Sequence, residues 1–522
     1  MRSRSLAALL LVVAASCSRC GGAKSAQSAE ALVPLSSGAV VSGPLAGVAQ
    51  HASALVDSAS QLPGGEQLFD LRKVLAAQLG FDPLTREGLL SAGLDPDRGF
   101  ALALQPTVPP SWLIALPLVK PDAFLQTFDR LARERAGYAL RTDEARGDIR
   151  IALYARDPQA KQKIGAAVVR GYGLVARGED PAAAIAQAAT RKPAESLAQD
   201  TRFVTARARL GVQDLLVFAP AGSDLPKRFT ARALPGDVAV SLSGTDKGLS
   251  VKLFAQLPDA QAQELAKTLP GGGSSLLELL PESAPFKLRL GLSAAELVKQ
   301  IGAASGAQSV REKLDGADRK LVEALEPGAV ISLATSKTAN IAQAIDYGFD
   351  FRRKSPFDTI ELVALARVAD TPRALEALAA IAQALPKLAA KAVRTGDDWQ
   401  VTYAGGQGAR FGIYQVGGKP IAYLLGGGIV PEDLKAVARS GNATAAVLWS
   451  DPGAALQLDL RKLSDAVRAL PEGAYGNGPQ GYVARALVSQ VIEPLRPLRL
   501  TASALPGKDG LSARIDVEIV AP

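Results

Sequence analysis

A chain of 522 residues exceeds what one hydrophobic core, which stops growing at roughly 250–300 residues, can organise, so more than one domain is expected. Its 48% hydrophobic and 21% charged residues exclude a disordered chain, and a net charge of +8, of which Arg2 and Arg4 belong to a leader, is too dilute for nucleic-acid binding. The single histidine, His51, excludes a His-rich zinc or iron site and leaves any nucleophilic triad only that imidazole.

Arg2 and Arg4 precede an apolar run from Leu6 to Ala15, the order of a signal peptide over residues 1–16. That run is shorter than the roughly 20 residues of a membrane-crossing helix. Ala14-Ala15-Ser16-Cys17 resembles a bacterial lipobox, with Ala14 where the pattern favours leucine. The resemblance implies lipidation at Cys17 and a membrane-anchored mature chain in the cell envelope. Ser18 after the cysteine, where an aspartate would retain the protein, points by the same resemblance to the outer membrane, facing the periplasm or the cell surface. An ordinary secretory cleavage after Ser16 is the alternative. A redox pair of Cys17 and Cys20 is disfavoured, because a polar low-complexity stretch follows them and not a strand-to-helix junction.

Residues 17–65 are rich in Ala, Ser and Gly and read as a flexible tether, which makes His51 a linker histidine. Beyond it, Phe100–Leu104 and Trp112–Val119 read as strands. Pro121-Asp122 opens a helix with Phe124, Leu125, Phe128 and Leu131 at helical spacing. Strands follow at Tyr138–Arg141, at Ile149–Tyr154 with apolar residues alternating, and at Gly171–Ala176; Asp180-Pro181 then opens a second helix. The order returns later. Strands Gly328–Ala334 and Ile360–Ala366 precede a helix over Pro372–Leu385, then come strands Trp399–Ala404, Arg410–Gln415 and Pro420–Leu425, and a closing helix from Pro431. Two octapeptides match as well: Phe229–Gly236 with Leu500–Gly507, and Asp246–Leu253 with Lys508–Ile515.

These patterns predict an α+β fold in two tandem copies of a module, each a mainly antiparallel sheet with helices packed on one face. The expected boundaries are module 1 over 66–258, a linker over 259–274 and module 2 over 275–522. Through the leader, the Gly93-Leu94-Asp95-Pro96-Asp97 turn, the Arg177–Pro181 step and the Glu195-Ser196-Leu197-Ala198 stretch, the chain resembles a poorly characterised family of large exported bacterial proteins, known only as a domain of unknown function. The resemblance implies no activity.

No residue cluster forms a convincing catalytic, metal or cofactor site. Gly426-Gly427-Gly428 could cradle an anion ahead of a helix, yet the Walker lysine is missing and the matching place in the first half is Gly178-Glu179-Asp180. Asp95, Asp97 and Gly99 echo only part of a calcium loop. Asp397 and Asp398 read as a turn, Arg352-Arg353-Lys354 as a solvated loop, and Trp112, Trp399 and Trp449 as core or sheet edge with a ligand platform as the alternative. The expected function is a non-enzymatic envelope lipoprotein that binds or assembles, with the membrane and an envelope protein or lipid-like ligand as partners and no nucleic acid. A carrier of lipid-like ligands is the second reading and a hydrolase without histidine the third.

Overall fold

The computed structural model describes residues 28–520 except 61–65, 106, 108–109, 212–213, 224–235, 246–247, 273, 293–295, 297–315, 337–338, 340–354, 389, 404–405, 428, 430–452 and 477. It divides into two compact units, Met1–Pro258 and Asp259–Pro522.

The first unit runs β1 (Ala39–Pro44), α1 (Leu45–Ser60), α2 (Glu66–Leu79), α3 (Arg86–Ser91), β2 (Gly99–Gln105), β3 (Ser111–Pro117) and α4 (Pro121–Arg130). It continues with β4 (Leu140–Arg146), β5 (Ile149–Ala155), β6 (Lys163–Val169), β7 (Tyr172–Gly178), α5 (Pro181–Thr190), α6 (Thr201–Leu210), β8 (Leu215–Ala219), β9 (Val238–Thr245) and β10 (Gly248–Gln256). Along its sheet the order is β4-β5-β6-β7-β3-β2-β1-β8-β9-β10, antiparallel at every step.

The second unit runs α7 (Asp259–Thr268), β11 (Phe286–Leu290), α8 (Ala317–Glu323), β12 (Leu325–Thr335), β13 (Ile360–Val368), α9 (Thr371–Ala384), β14 (Ala390–Thr395), β15 (Asp398–Tyr403), β16 (Gly406–Val416) and β17 (Lys419–Gly426). It closes with β18 (Ala454–Asp459), α10 (Leu460–Arg468), α11 (Pro479–Ile492), β19 (Leu498–Gly507) and β20 (Gly510–Ile519). Its order is β14-β15-β16-β17-β13-β12-β11-β18-β19-β20, again antiparallel throughout. Position for position, this is the order of the first unit.

Local chemistry sets the joints. Arg170-Gly171 and Gly417-Gly418 turn β6 into β7 and β16 into β17 with both central φ angles positive, at 51° and 77° and at 58° and 77°, the geometry whose twist matches a two-residue hairpin. Helices α5, α9 and α10 each start on an aspartate, Asp180, Asp370 and Asp459, whose carboxylate accepts a backbone N–H of the first turn.

The expected helices on one face are overturned. The described residues form 20 antiparallel strands that do not close on themselves, and the central strands of each unit's sheet are buried on both faces. Along β2, Phe100 and Leu102 enter one apolar cluster while Ala101 and Ala103 enter another. The first of these clusters also takes residues of α1, α3 and α4; the second takes residues of α5 and α6. In the second unit Val363 and Leu365 of β13 join one cluster, and Leu362 and Val368 another. Among the described residues the helices do not form a layer on one face. The physical reason stands in the strands themselves: Phe100-Ala-Leu-Ala-Leu104 is apolar at every position, the mark of a strand covered on both sides.

The tether is corrected too. Leu32 and Val33 are fully buried in the core of the first unit, and β1 lies between β2 and β8 in its sheet. His51 belongs to α1, and part of the 259–274 linker is helix α7. Among the described residues no helix is long and apolar enough to cross a membrane.

Candidate functional site

In the first unit a cavity of about 590 Å³ opens between α4 and the strands β4, β5 and β6. Its floor is apolar: Leu125 comes from α4, Ile149 and Ala152 from β5, and Ala166 and Val168 from β6. Ala152 and Ala166 are direct cross-strand partners, so two of the smallest side chains lie together where larger ones would fill the space. The walls are charged. Asp122 and Asp129 come from α4, Arg141 and Asp143 from β4, Arg150 from β5 and Asp148 from the turn between them, giving four carboxylates against two guanidinium groups.

A hydrogen-bond network fixes one wall. The buried Tyr154 donates its hydroxyl to Asp129 Oδ1 at 3.0 Å, and Arg141 Nη1 donates to the same oxygen at 2.9 Å. Arg141 Nη2 reaches Asp143 Oδ1 at 3.4 Å, and Arg150 Nη2 donates to Asp143 Oδ2 at 2.9 Å. The Tyr154 ring is held edge-on by Phe128, with centroids 5.5 Å apart. Burial, followed by the bond to Asp129, pushes the Tyr154 phenol far above its ordinary value. The hydrogen bond from Arg150, followed by attraction from Arg141, holds Asp143 below the usual carboxylate range. A phenol held protonated and a carboxylate held ionised make a poor acid–base pair near neutrality.

Among the described residues, the candidate site residues named from the sequence lie outside this cavity. Cys17, Cys20, the Arg352–Lys354 run, Trp449, Gly428 and the helix expected from Pro431 fall outside the described residues. At Gly426 a Cβ would overlap the Phe357 ring, so packing accounts for that glycine without any anion. In the first half Asp180 caps α5. Asp97 takes both terminal nitrogens of Arg86, at 2.7 and 2.5 Å, and Asp95 accepts the Asp97 N–H at 3.0 Å; this is a turn closed by an ion pair. Asp398 accepts the Tyr423 hydroxyl. Trp112 and Trp399 are buried, and Trp399 stacks on Phe411 with centroids 5.5 Å apart. Among the described residues no three His, Cys, Asp or Glu side chains are grouped to hold a metal ion.

The apolar alternation read over Ile149–Tyr154 gives no sign of the cavity, because both faces of β5 are covered. Ile151 and Tyr154 are both buried, on opposite faces. A usable signal existed in the acidic residues Asp122 and Asp129 on α4, seven apart and therefore on one face.

No protein-family model matches the chain, and no curated protein matches it. It is similar to a solved structure titled "Structure of crystal form I of TP0453", at 10% identity and a TM-score of 0.27, over 48% of this chain and 88% of that one. A likeness of that size carries no argument.

Proposed function

We propose that the chain is a non-enzymatic envelope lipoprotein, anchored through an acylated Cys17 at the outer membrane, whose two units are copies of one module. The groove of the first unit is its binding site for a partner protein. One observation carries this reading: the cavity joins an apolar floor to walls of charges already fixed by one another. A partner side chain with an apolar body and a polar flank fits such a groove. An acyl chain fits it poorly, since it would desolvate the charged walls without adding a polar contact.

Native mass spectrometry of the detergent-extracted mature protein is the test. A partner protein retained by the parent and lost when Ala152→Trp fills the groove supports the reading. A stoichiometric lipid inside the protein overturns it in favour of the carrier, and turnover of an ester or glycan panel overturns the non-enzymatic part. Release of a Cys17→Ser form into the soluble fraction supports the anchor, because acyl chains hold through about 0.8 kcal/mol per buried methylene.

A further inference from the structure

The charges lining the groove of the first unit do not balance. Its four carboxylates face two guanidinium groups, a net −2, which Arg133, standing beside the groove 3.7 Å from Asp129, brings to −1. Both lining arginines are committed, Arg141 to Asp129 and Asp143, and Arg150 to Asp143. Asp122 and Asp148 line the same cavity and, among the described residues, enter no ion pair and no side-chain hydrogen bond. The basic residues that neighbour them in the chain do not answer them. Arg146 is bonded to Glu144 and reaches Asp180 at 3.8 Å, and neither Lys120 nor Arg170 lines the cavity.

The register puts the two free carboxylates toward one end. The bond from Tyr154 to Asp129 fixes the last turn of α4 over the far end of β5. In its first turn Phe124 lies against Gly173, whose cross-strand partner Val168 stands two residues beyond Ala166, as Arg150 stands two before Ala152. Asp122 therefore lies over the start of β5, toward the turn that carries Asp148, and the aliphatic floor runs from there toward Tyr154. These acids are not grouped as ligands of a metal ion. A negative end on an apolar trough calls instead for a cation carried on a hydrocarbon stem.

We propose that the groove receives a lysine or arginine side chain from a basic segment of the partner protein, with its methylenes along the floor and its cationic group at Asp122 and Asp148. Charge complementarity selects this occupant. An acidic segment would meet guanidinium groups already bonded to Asp129 and Asp143 and would stand against two uncompensated carboxylates. A wholly apolar side chain would cover those carboxylates without pairing them. Lysine and arginine join a long apolar stem to a full positive charge. The inference rests on the reading of the groove as the partner's site and adds the chemistry of what enters it.

The test is fluorescence anisotropy of the detergent-extracted mature protein with a labelled short peptide of alternating serine and lysine, and with counterparts carrying norleucine or glutamate in place of lysine. The chain as a whole is basic, at +8, so unspecific attraction works against the lysine peptide. That peptide should bind more tightly than either counterpart, and Asp122→Asn with Asp148→Asn should weaken it roughly tenfold or more, as should Ala152→Trp. Asp122→Glu with Asp148→Glu should retain binding, and an unchanged melting curve confirms that the exposed asparagine variants fold. Asp70→Asn with Glu87→Gln removes the same charge at exposed positions outside the cavity and should change nothing. No binding of the lysine peptide, equal or tighter binding of either counterpart, equal binding by the parent and the asparagine pair, or an equal loss from the outside pair each overturns the assignment. If the lysine peptide fails while Ala152→Trp still abolishes capture of the partner protein, the groove stands as the partner's site and the cationic occupant falls.

Discussion

Replacing Gly173 with alanine tests how α4, which carries one wall of the groove, is seated on its sheet. Gly173 lies on β7 with an ordinary negative φ, so alanine is conformationally allowed there; what it meets is the buried Phe124 ring of α4, two of whose carbons would stand 2.5 Å from the new Cβ. Carbon atoms pack best at about 3.5–4.0 Å, so the ring must retreat by about 1 Å. Overpacking of this kind costs about 1–3 kcal/mol, offset by about 0.4–1 kcal/mol from the stiffer unfolded chain. For a unit of this size each kcal/mol moves the midpoint by about 2–4 °C, and we expect a fall of a few degrees in the transition of the first unit, measured by calorimetry and urea titration. Because Asp122, Leu125 and Asp129 ride on the same helix, the retreat should also weaken whatever the groove binds. Phe124→Leu removes the ring carbons that collide. The pair of substitutions should therefore be less harmful than the two singles added, by about 0.5 kcal/mol or more. Strict additivity, or no loss from Gly173→Ala alone, refutes the seating of α4 on that glycine.

Tyr154→Phe deprives Asp129 of its buried donor and should cost about 1 kcal/mol in urea titration; an unchanged midpoint would show the bond to be unimportant. Trp399→Ala removes the partner of Phe411 from the second unit's core and should cost about 3–5 kcal/mol in urea titration; no loss would contradict the stacking. Burial, followed by repulsion from Lys462, pulls Lys287 down to about 8 from its ordinary 10.5. Below pH 8 the unfavourable charging is present in full, and between pH 8 and 10.5 the unfolded chain holds a proton that the folded chain has lost, so stability rises with pH across that window. Lys287→Met should accordingly stabilise most at neutral pH and gain nothing above pH 10.5, and a pH-independent difference between the two proteins would contradict this.

What the sequence made legible follows from where its signals are local. The strands at Phe100–Leu104, Ile360–Ala366 and Pro420–Leu425 and the helices opened by Pro121, Pro181 and Pro372 were readable because turn residues, caps and apolar runs lie within each segment. Strands β1, β6, β8, β11, β14 and β18 were not. β6 is Lys163-Ile-Gly-Ala-Ala-Val-Val169, where small residues blur the alternation. β1 follows a low-complexity stretch whose Ala, Ser and Gly content suits a buried centre strand as well as it suits a tether. The second matched octapeptide falls across the last hairpin of each unit, Gly248 and Gly510 both starting the final strand. The first does not mark equivalent places: Gly236 precedes β9, whereas Gly507 ends β19. The groove stayed hidden because it depends on Ala152 meeting Ala166 across strands, a long-range register that no local pattern encodes.

The common strand order gives the groove a physical explanation when the two sheets are compared strand by strand. On β15 and β16 of the second unit, Trp399 faces Phe411, and the two rings, 11° from parallel, bury one another under α9. On the corresponding strands β5 and β6 of the first unit, counted from the matching turns, Tyr154 faces Ile164 in that place, and Ala152 faces Ala166 one pair nearer the β6–β7 turn, where the space beside the alanines stays open to solvent between α4 and the charged wall. Filling a core with aromatic side chains stabilises it through buried area, so a unit that keeps two alanines there forgoes that stabilisation. If both units descend from one module, the frame constrains the strand order and the caps of the helices in both, and leaves the volume over these two strands as the quantity free to differ. The groove then arises from smaller side chains on an unchanged sheet, and the arginine–carboxylate network satisfies the polar groups that line it.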